Sequence, residues 1–145
     1  MVAARDLVVF MNAVGLRPLQ IFIVENHGET LKWLTAYLEL RGHEVTSANS
    51  MAEALSKLAT ARCDVLISDI GLPDGDGWQL LERAKLPANV LCIAMSGYGM
   101  KSDALKSKEA GFAYHLLKPF EPVRLNGILE EFASRVESGR PSLQP

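Results

Sequence analysis

The chain of 145 residues is long enough for one ordinary domain and too short for two. Hydrophobic residues make up 48% of it and charged residues 22%, a composition typical of globular proteins and unlike that of disordered or collagen-like chains. The net charge of −2 and the pI of about 5.9 give no basic surface for nucleic acid or an anionic membrane, and no apolar run reaches the roughly 18 residues that span a bilayer.

The N-terminal region lacks the features of a secretory signal. A lone Arg5 stands in place of a basic segment, and no small-residue cleavage site follows the apolar stretch Leu7–Met11. We therefore expect a cytoplasmic protein with neither nucleic acid nor a membrane as a partner. Cys63 and Cys92 each adjoin an apolar run and lack metal-binding spacing, so we interpret them as reduced thiols packed as small hydrophobes.

Short apolar runs alternate along the chain with stretches of helical spacing. The runs are Ile21–Val24, a weaker one at Glu44–Ala48, Val65–Ile67, Val90–Ala94 and Ala113–Leu117. Runs that are apolar on both faces suit strands of a parallel sheet that helices cover on each side. The alternation therefore predicts an open, doubly wound α/β fold over residues 19–136.

Helical spacing predicts a helix after each strand. The first stops near Gly42, and the second begins at Ser50 and Glu53, which have the spacing of a capping box. The others are predicted at Trp78–Lys85, at Met100–Ala110 and from Pro122 to Val136. Since Met100–Ala110 has few large apolar residues, we expect a lightly anchored surface helix there.

The two ends of the chain fall outside this pattern. Residues 1–18 form an N-terminal extension, and the pattern leaves open whether it is a short helix or an arm. Residues 137–145 are rich in small and polar residues and are predicted to be a disordered tail. The predicted domain accordingly occupies residues 19–136.

Polar residues follow four of the five predicted strands. They are Glu25 and Asn26 after the first strand, Asp69 after the third, Ser96 after the fourth and Lys118 after the fifth. In open α/β sheets the functional crevice lies beyond the carboxyl ends of the strands, so we expect these side chains to converge there.

The expected cluster has the composition of a phosphoryl-transfer site. Two carboxylates and an amide oxygen are hard ligands of the kind that Mg²⁺ prefers. A carboxylate beside the metal can act as a nucleophile toward a phosphoryl group, whose charged oxygens need a cation such as Lys118 and a hydroxyl such as Ser96.

Three motifs make the chain resemble the receiver domain of two-component response regulators. They are Ile-Ser-Asp69-Ile-Gly-Leu-Pro-Asp-Gly-Asp-Gly-Trp, Met-Ser96-Gly-Tyr and Leu-Leu-Lys118-Pro-Phe, each after an apolar strand. The resemblance covers about residues 19–136. It implies a flavodoxin-like sheet of order 2-1-3-4-5. It also implies that Asp69 accepts a phosphoryl group and that the protein is not an enzyme with turnover.

The resemblance also implies roles for the other residues at the strand ends. Glu25, Asn26, Asp69 and the backbone carbonyl of Gly71 would hold Mg²⁺. Ser96 would be the switch hydroxyl and Lys118 the phosphate-binding lysine, with a cis peptide bond following it.

Two positions depart from the family pattern. Glu25-Asn26 stands where two acidic residues are usual, which lowers the formal charge of the pocket from −3 to −2 and predicts weaker Mg²⁺ binding. Asn26 is also a suitable helix cap, and the two roles are compatible. His115 occupies the aromatic switch position, where it would swing between inward and outward rotamers, while Tyr114 should face the other side of the strand.

The remaining polar and aromatic residues receive structural interpretations. Asp74 and Asp76 are interpreted as solvating a glycine-rich loop, His27 and His43 as surface residues, and Trp78 as having no functional role.

The expected partners follow from the resemblance. They are a sensor histidine kinase or phosphotransfer protein, a downstream protein of unknown identity, and a second copy of the chain through the fourth and fifth helices. Because the sequence ends soon after the last predicted helix, we expect a stand-alone receiver that acts by protein contact.

Three other functions are alternatives to that of a receiver. The main alternative is a phosphorylation-independent interaction module with a degenerate acidic pocket, which Asn26 and His115 motivate. A phosphoaspartate-forming hydrolase would need a second aspartate where Gly71 stands, and a flavodoxin-type carrier would need a glycine-rich phosphate loop after the first strand.

Overall fold

The computed structural model describes residues 17–97 and 101–139. Five strands form one sheet: β1 (Gln20–Val24), β2 (Glu44–Ala48), β3 (Val65–Asp69), β6 (Leu91–Ser96) and β7 (Tyr114–Leu117). Two further short strands, β4 (Gly71–Leu72) and β5 (Gly75–Asp76), pair antiparallel in the loop after β3.

Five helices connect or follow the strands. They are α1 (Gly28–Leu40), α2 (Met51–Leu58), α3 (Gly77–Ala84), α4 (Lys101–Ala110) and α5 (Pro122–Gly139). In this described part of the chain, no helix is both long enough and apolar enough to cross a membrane.

The order of the five-stranded sheet is β2-β1-β3-β6-β7, and each neighbouring pair is parallel. This confirms the predicted order 2-1-3-4-5 once the two short strands are counted in the numbering. Because all five strands run the same way, their carboxyl ends lie along one edge of the sheet.

Alternating residues of the central strands fill two cores on opposite faces of the sheet. Ile21 and Ile23 pack with Leu34 of α1 and Leu129 of α5. Phe22 and Val24 face the other way, with residues of α2 and α3 that include Leu80. Since both faces are covered, the strands are apolar throughout, which is why short runs without alternation predicted them.

Helix α4 is anchored differently from the other helices. Among its residues with described side chains, the buried ones are polar, Asp103 and Ser107, while Leu105 is exposed. The expected light apolar anchoring is therefore observed, and polar groups take part in holding this helix to the sheet.

Two cap predictions need correction. Asn26 does not cap α1, because the residue preceding the helix is His27, and no side chain caps this end. Ser50 does accept from the backbone N–H of Glu53 at 3.1 Å, but the Glu53 carboxylate accepts from Asn49 rather than returning to Ser50. The second half of the predicted capping box is thus displaced by one residue.

The interpretation of Asp74 and Asp76 as solvating residues is wrong. The Asp74 carboxylate accepts from the backbone N–H groups of Met51 and Ala52 at 2.7 and 2.9 Å, so it caps α2 from the loop after β3. Asp76 forms a reciprocal capping box with Gln79 at the start of α3. Both carboxylates stabilise helix N-termini, where unpaired N–H groups favour negative charge.

The chain ends bear on the proposed domain limits of 19–136. Residues 1–16 of the N-terminal extension and residues 140–145 of the tail lie outside the described residues. Helix α5 extends to Gly139, three residues beyond the limit at residue 136. Domain limits at residues 18 and 136 stay a proposal.

Candidate functional site

The carboxyl edge of the sheet brings the polar residues that follow the strands close together. Glu25 directly follows β1, Asp69 ends β3, Ser96 ends β6 and Lys118 directly follows β7. The backbone N–H of Lys118 donates to the Ser96 carbonyl at 2.8 Å, which continues the pairing of β6 with β7 past the last strand residue. The Lys118–Pro119 peptide bond is cis.

Lys118 lies between the two carboxylates of this edge. Its ammonium donates to Glu25 Oε1 at 2.5 Å and to Asp69 Oδ2 at 3.1 Å. Glu25 is fully buried, whereas the side chains of Asp69 and Lys118 keep 13% and 23% of their exposure. The second oxygen of Glu25 accepts from the backbone N–H of His27 at 3.0 Å, so both oxygens of the buried carboxylate are paired.

The electrostatics of the cluster follow from this packing. Burial and the neighbouring charge of Glu25 raise the pKa of Asp69 to about 6, although Lys118 opposes the shift. Burial alone would lower the pKa of Lys118, but its hydrogen bonds and charge interactions with Glu25 and Asp69 outweigh burial and raise it. Lys118 is therefore charged at neutral pH, and Asp69 is mostly ionised.

Asn26 and Gly71 border the cluster without joining its hydrogen bonds. Asn26 is exposed immediately after Glu25. Gly71 is also exposed and pairs with Asp76 in the short antiparallel ribbon. Each of these exposed residues is thus close in sequence to a carboxylate of the cluster, Asn26 to Glu25 and Gly71 to Asp69.

The residues present fit a divalent cation of the magnesium type. Among residues 17–97 and 101–139, no group of three or more histidines, cysteines and carboxylates is arranged to hold a metal. Two carboxylates, an amide and a backbone carbonyl nevertheless supply hard oxygen ligands. The like charges of Glu25 and Asp69, which raise the pKa of Asp69, are the charges that such a cation would offset.

A glycine lets helix α3 approach the backbone of the candidate phosphoacceptor. A Cβ atom on Gly77 would lie 2.8 Å from the Asp69 carbonyl oxygen, closer than real Cβ contacts allow. The backbone N–H of Gly77 also donates to the Ile70 carbonyl at 2.8 Å. The position of Asp69 is therefore fixed in part by the start of α3.

Ser96 is paired with His115 instead of with Asp69. Its hydroxyl lies 2.6 Å from His115 Nε2, and the other ring nitrogen lies 2.8 Å from the Ser107 hydroxyl on α4. Tyr114 packs in the core on the opposite face, as predicted from the alternation of side chains along a strand. His115 thus has its inward orientation here, and its swing to an outward rotamer stays a prediction.

Two residues of this environment were missed by the sequence analysis. Trp78 of α3 donates its indole N–H to Ser107 at 3.0 Å, so it has a polar partner next to the His115 contact. Ser107 is fully buried within a helix in which half of the residues are charged. A serine buried among polar residues has no periodic apolar signal, so the pattern could not identify it.

Known proteins are similar to this chain in sequence. The response regulator receiver domain family matches residues 21–130. An uncharacterized 14.6 kDa protein of Leptolyngbya boryana is 31% identical over 81% of this chain and 92% of its own length. The KDP operon transcriptional regulatory protein of Escherichia coli strain K12 is 33% identical over 69% of this chain, which spans only 44% of that regulator.

A solved structure shares the fold of this chain. The CheY-like response regulator receiver domain protein of Methanospirillum hungatei JF-1 superposes with a TM-score of 0.77 at 30% identity, covering 84% of this chain and 98% of its own. The flavodoxin-like fold predicted from the motifs is thereby confirmed, and so is the resemblance that they carried. This chain belongs to the receiver domain family of two-component response regulators.

Proposed function

We propose that this receiver domain accepts a phosphoryl group on Asp69 from a phosphohistidine of a sensor kinase or phosphotransfer protein. Glu25, Asn26, Asp69 and the carbonyl of Gly71 would hold Mg²⁺, with Ser96 and Lys118 completing the phosphoryl site. The modified aspartate would change a protein-binding surface, so the chain signals by contact rather than by turnover.

The position of Lys118 between Asp69 and Glu25 is the observation that supports this proposal most strongly. An ammonium within 3.1 Å of a partly exposed carboxylate stands where the oxygens of an attached phosphoryl group would carry negative charge. The buried Glu25 holds that ammonium from the other side. A plain aspartate at the end of a strand would need no such arrangement.

Each oxygen of Asp69 has a different environment. Lys118 engages Oδ2, whereas no donor within the described residues engages Oδ1, which leaves Oδ1 free to attack phosphorus. In the transfer, the bond between Oδ1 and phosphorus forms as the bond between phosphorus and the donor imidazole nitrogen breaks. The imidazole leaves with the electron pair of that bond and takes a proton from solvent.

Mg²⁺, when bound, would supply positive charge to the phosphoryl oxygens in transfer. This chain provides two carboxylates where the family usually has three, so we propose that it binds the ion weakly. Lys118 contributes fixed charge whether or not the ion is present, and Ser96 contributes a hydroxyl at the neighbouring strand end.

The surface formed by α4, β7 and α5 is the proposed contact face for a downstream protein or a second copy. Three large apolar side chains are exposed on it, Leu105 on α4, Leu117 on β7 and Val123 on α5. Isolated exposed apolar side chains are ordinary, but three on adjacent elements next to the phosphoryl site favour a contact surface.

Incubation with acetyl phosphate and Mg²⁺, followed by intact mass measurement, tests the proposal. We expect a mass gain of one phosphoryl group that is lost in Asp69→Asn. Asp76→Asn is the matched control, since it changes an acid in the same loop and asparagine caps helices as well as aspartate does. The control should keep the mass gain.

A mass gain that survives Asp69→Asn would assign phosphorylation to another residue. No gain at any Mg²⁺ concentration, from acetyl phosphate or from a phosphorylated histidine kinase, would contradict the proposal and leave the interaction module as the better description.

A further inference from the structure

Four side chains form a continuous hydrogen-bonded chain that begins at the candidate switch hydroxyl. The Ser96 hydroxyl lies 2.6 Å from His115 Nε2, and His115 Nδ1 lies 2.8 Å from the Ser107 hydroxyl. The Ser107 oxygen also accepts from Trp78 Nε1 at 3.0 Å. The chain therefore connects β6, β7, α4 and α3, and one end of it lies beside Asp69.

The hydrogen-bonded chain of these four side chains is shielded from water over most of its length. Ser107 is fully buried, so its hydroxyl cannot rely on solvent for a hydrogen-bond partner, whereas Ser96 keeps 3% exposure at the carboxyl edge of the sheet. Asp103, one turn before Ser107 on α4, is buried as well, and its Oδ2 has no partner within the described residues. This side of α4 is thus a closed polar environment in which every hydrogen position matters.

The direction of each hydrogen bond follows from what the groups can donate. An indole N–H only donates, so the Ser107 oxygen is the acceptor in its contact with Trp78. Within the described residues, Ser107 Oγ has one other partner, His115 Nδ1. The single hydroxyl hydrogen of Ser107 is therefore donated to Nδ1, which must present its lone pair.

This direction fixes the hydrogen on the other ring nitrogen. A neutral imidazole carries one hydrogen, so with Nδ1 as an acceptor the hydrogen is on Nε2. Burial lowers the pKa of His115 and so favours the neutral ring, although the charge of Asp103 opposes this shift. Nε2–H then donates to Ser96 Oγ, and the hydrogen of the Ser96 hydroxyl is not used by His115.

The opposite direction fails at two points. If Nδ1 carried the hydrogen, the Ser107 oxygen would accept two bonds, and its own hydrogen would be buried without an acceptor, at the full cost of desolvation. Ser96 would then have to donate its hydrogen to Nε2, and that hydrogen would no longer be available to a phosphoryl oxygen.

We propose that Ser107 and Trp78 are positioning residues that select the Nε2–H tautomer of His115 and so keep the Ser96 hydroxyl hydrogen available to a phosphoryl group on Asp69. The tautomer selection stands on the described contacts, while its use in signalling rests on the proposed function. His115 thereby takes a role that an aromatic ring without a nitrogen could not perform.

Nitrogen-15 NMR of the imidazole rings measures the tautomer directly, at pH 8 and without phosphorylation. His43 supplies an internal reference, because the backbone N–H of Leu19 donates to its Nδ1 at 3.0 Å and so requires the Nε2–H form. We expect His115 to show the same pattern as His43 in the wild type. A hydrogen on Nδ1 of His115 would overturn the proposal.

Two variants test the role of the positioning residues. Ser107→Ala removes the donor to Nδ1, and Trp78→Phe removes the group that forces Ser107 to donate. Both variants should give a mixture of tautomers at His115. We expect a smaller change for Trp78→Phe. Ser56→Ala, an exposed serine on α2, is the control and should leave His115 unchanged. An unchanged tautomer in both positioning variants would contradict the proposal, and Trp78→Phe keeps the test valid if Ser107→Ala does not fold.

The rate of phosphorylation by acetyl phosphate provides the second readout. An even mixture of tautomers leaves the Ser96 hydrogen available half of the time, so Ser107→Ala should slow the reaction about twofold. It should have no further effect in a Ser96→Ala background, since the two act through one hydroxyl. An equal slowing in both backgrounds would show that Ser107 acts only structurally. If the wild type takes up no phosphoryl group, the proposed function fails, and the NMR result still decides the tautomer selection.

Discussion

The ammonium of Lys118 lies 3.1 Å from the carboxylate of Asp69, although 49 positions separate the two residues in the chain. It also donates to Glu25, which is 93 positions away. These contacts exist because β1, β3 and β7 run parallel and end at the same edge of one sheet. The candidate site is thus a consequence of strand order, and its ion pairs can be tested separately from its chemistry.

Removal of the Lys118 charge should destabilise the fold. In Lys118→Met, the fully buried Glu25 loses its cation while Asp69 stays nearby, and breaking a buried pair costs about 3 to 5 kcal/mol. Since Lys118 keeps 23% exposure, we expect a smaller loss of about 2 kcal/mol in the free energy of unfolding, measured with urea.

The matched second variant is Glu25→Gln in the Lys118→Met background. It removes the unpaired charge and should recover part of the lost stability. Equal stability of the single and double variants would show that the unpaired charge of Glu25 has no cost and would contradict this explanation of the loss.

Restoring an acid at position 26 should strengthen metal binding. Asn26→Asp adds a carboxylate beside Glu25 and Asp69, so we expect tighter Mg²⁺ binding, measured by titration, and phosphorylation at lower Mg²⁺ concentration. Asn89→Asp adds the same charge at an exposed position before β6, at the opposite edge of the sheet, and should leave the Mg²⁺ affinity near that of the wild type. Equal affinities for all three proteins would remove Asn26 from the proposed metal site.

The close approach of α3 to Asp69 predicts an unequal response of two glycines to alanine. Gly77→Ala would place a Cβ 2.8 Å from the Asp69 carbonyl oxygen, so the helix start must shift, at a cost of about 1 to 3 kcal/mol. Gly28→Ala, at the first residue of α1, meets nothing within 4 Å and should be neutral or slightly stabilising. Thermal unfolding of the two variants measures the difference, and equal melting temperatures would be inconsistent with the packing described.

Much of the fold could be predicted because the strands are buried on both faces. Ile21–Val24 and Val65–Ile67 lie within two central strands and are fully apolar, so a run of apolar residues was sufficient to locate them. Polar residues directly after such runs, or within two positions of their ends, then lie at the carboxyl edge, which is why the sequence predicted that Glu25, Asp69, Ser96 and Lys118 converge there.

The contacts between loops and helices could not be predicted in the same way. Asp74 caps α2 from 22 or 23 positions away, and nothing local in the sequence distinguishes that contact from solvation. The chain from Ser96 to Trp78 likewise joins four elements through side chains, and periodicity carries no information on such contacts.

His43 should make a destabilising contribution to the fold on mild acidification. Burial lowers the pKa of His43, and the charge of Arg41 lowers it further. Between that lowered pKa and about 6.5, where an unfolded histidine titrates, the unfolded chain binds more protons, so stability falls as the pH falls through this window. Protonation also removes the lone pair that accepts from the backbone N–H of Leu19.

The variant His43→Gln keeps an acceptor but cannot titrate. The change in the free energy of unfolding from pH 7.5 to pH 5.5, measured with urea, should be less unfavourable for this variant than for the wild type. Asp69, whose raised pKa of about 6 gives a contribution of opposite sign, is present in both proteins and cancels in the comparison. Equal changes in the free energy of unfolding of the two proteins would show that His43 does not contribute to the pH dependence.

The central claim is that Asp69 is the residue that carries the phosphoryl group. Borohydride reduces an aspartyl phosphate to homoserine, so treatment of the phosphorylated protein followed by peptide mass spectrometry identifies the modified residue directly. We predict homoserine at position 69, dependent on Mg²⁺ and on prior exposure to the phosphodonor. Homoserine at another aspartate, or at none while the protein carries a phosphoryl group, would contradict the proposed role of Asp69.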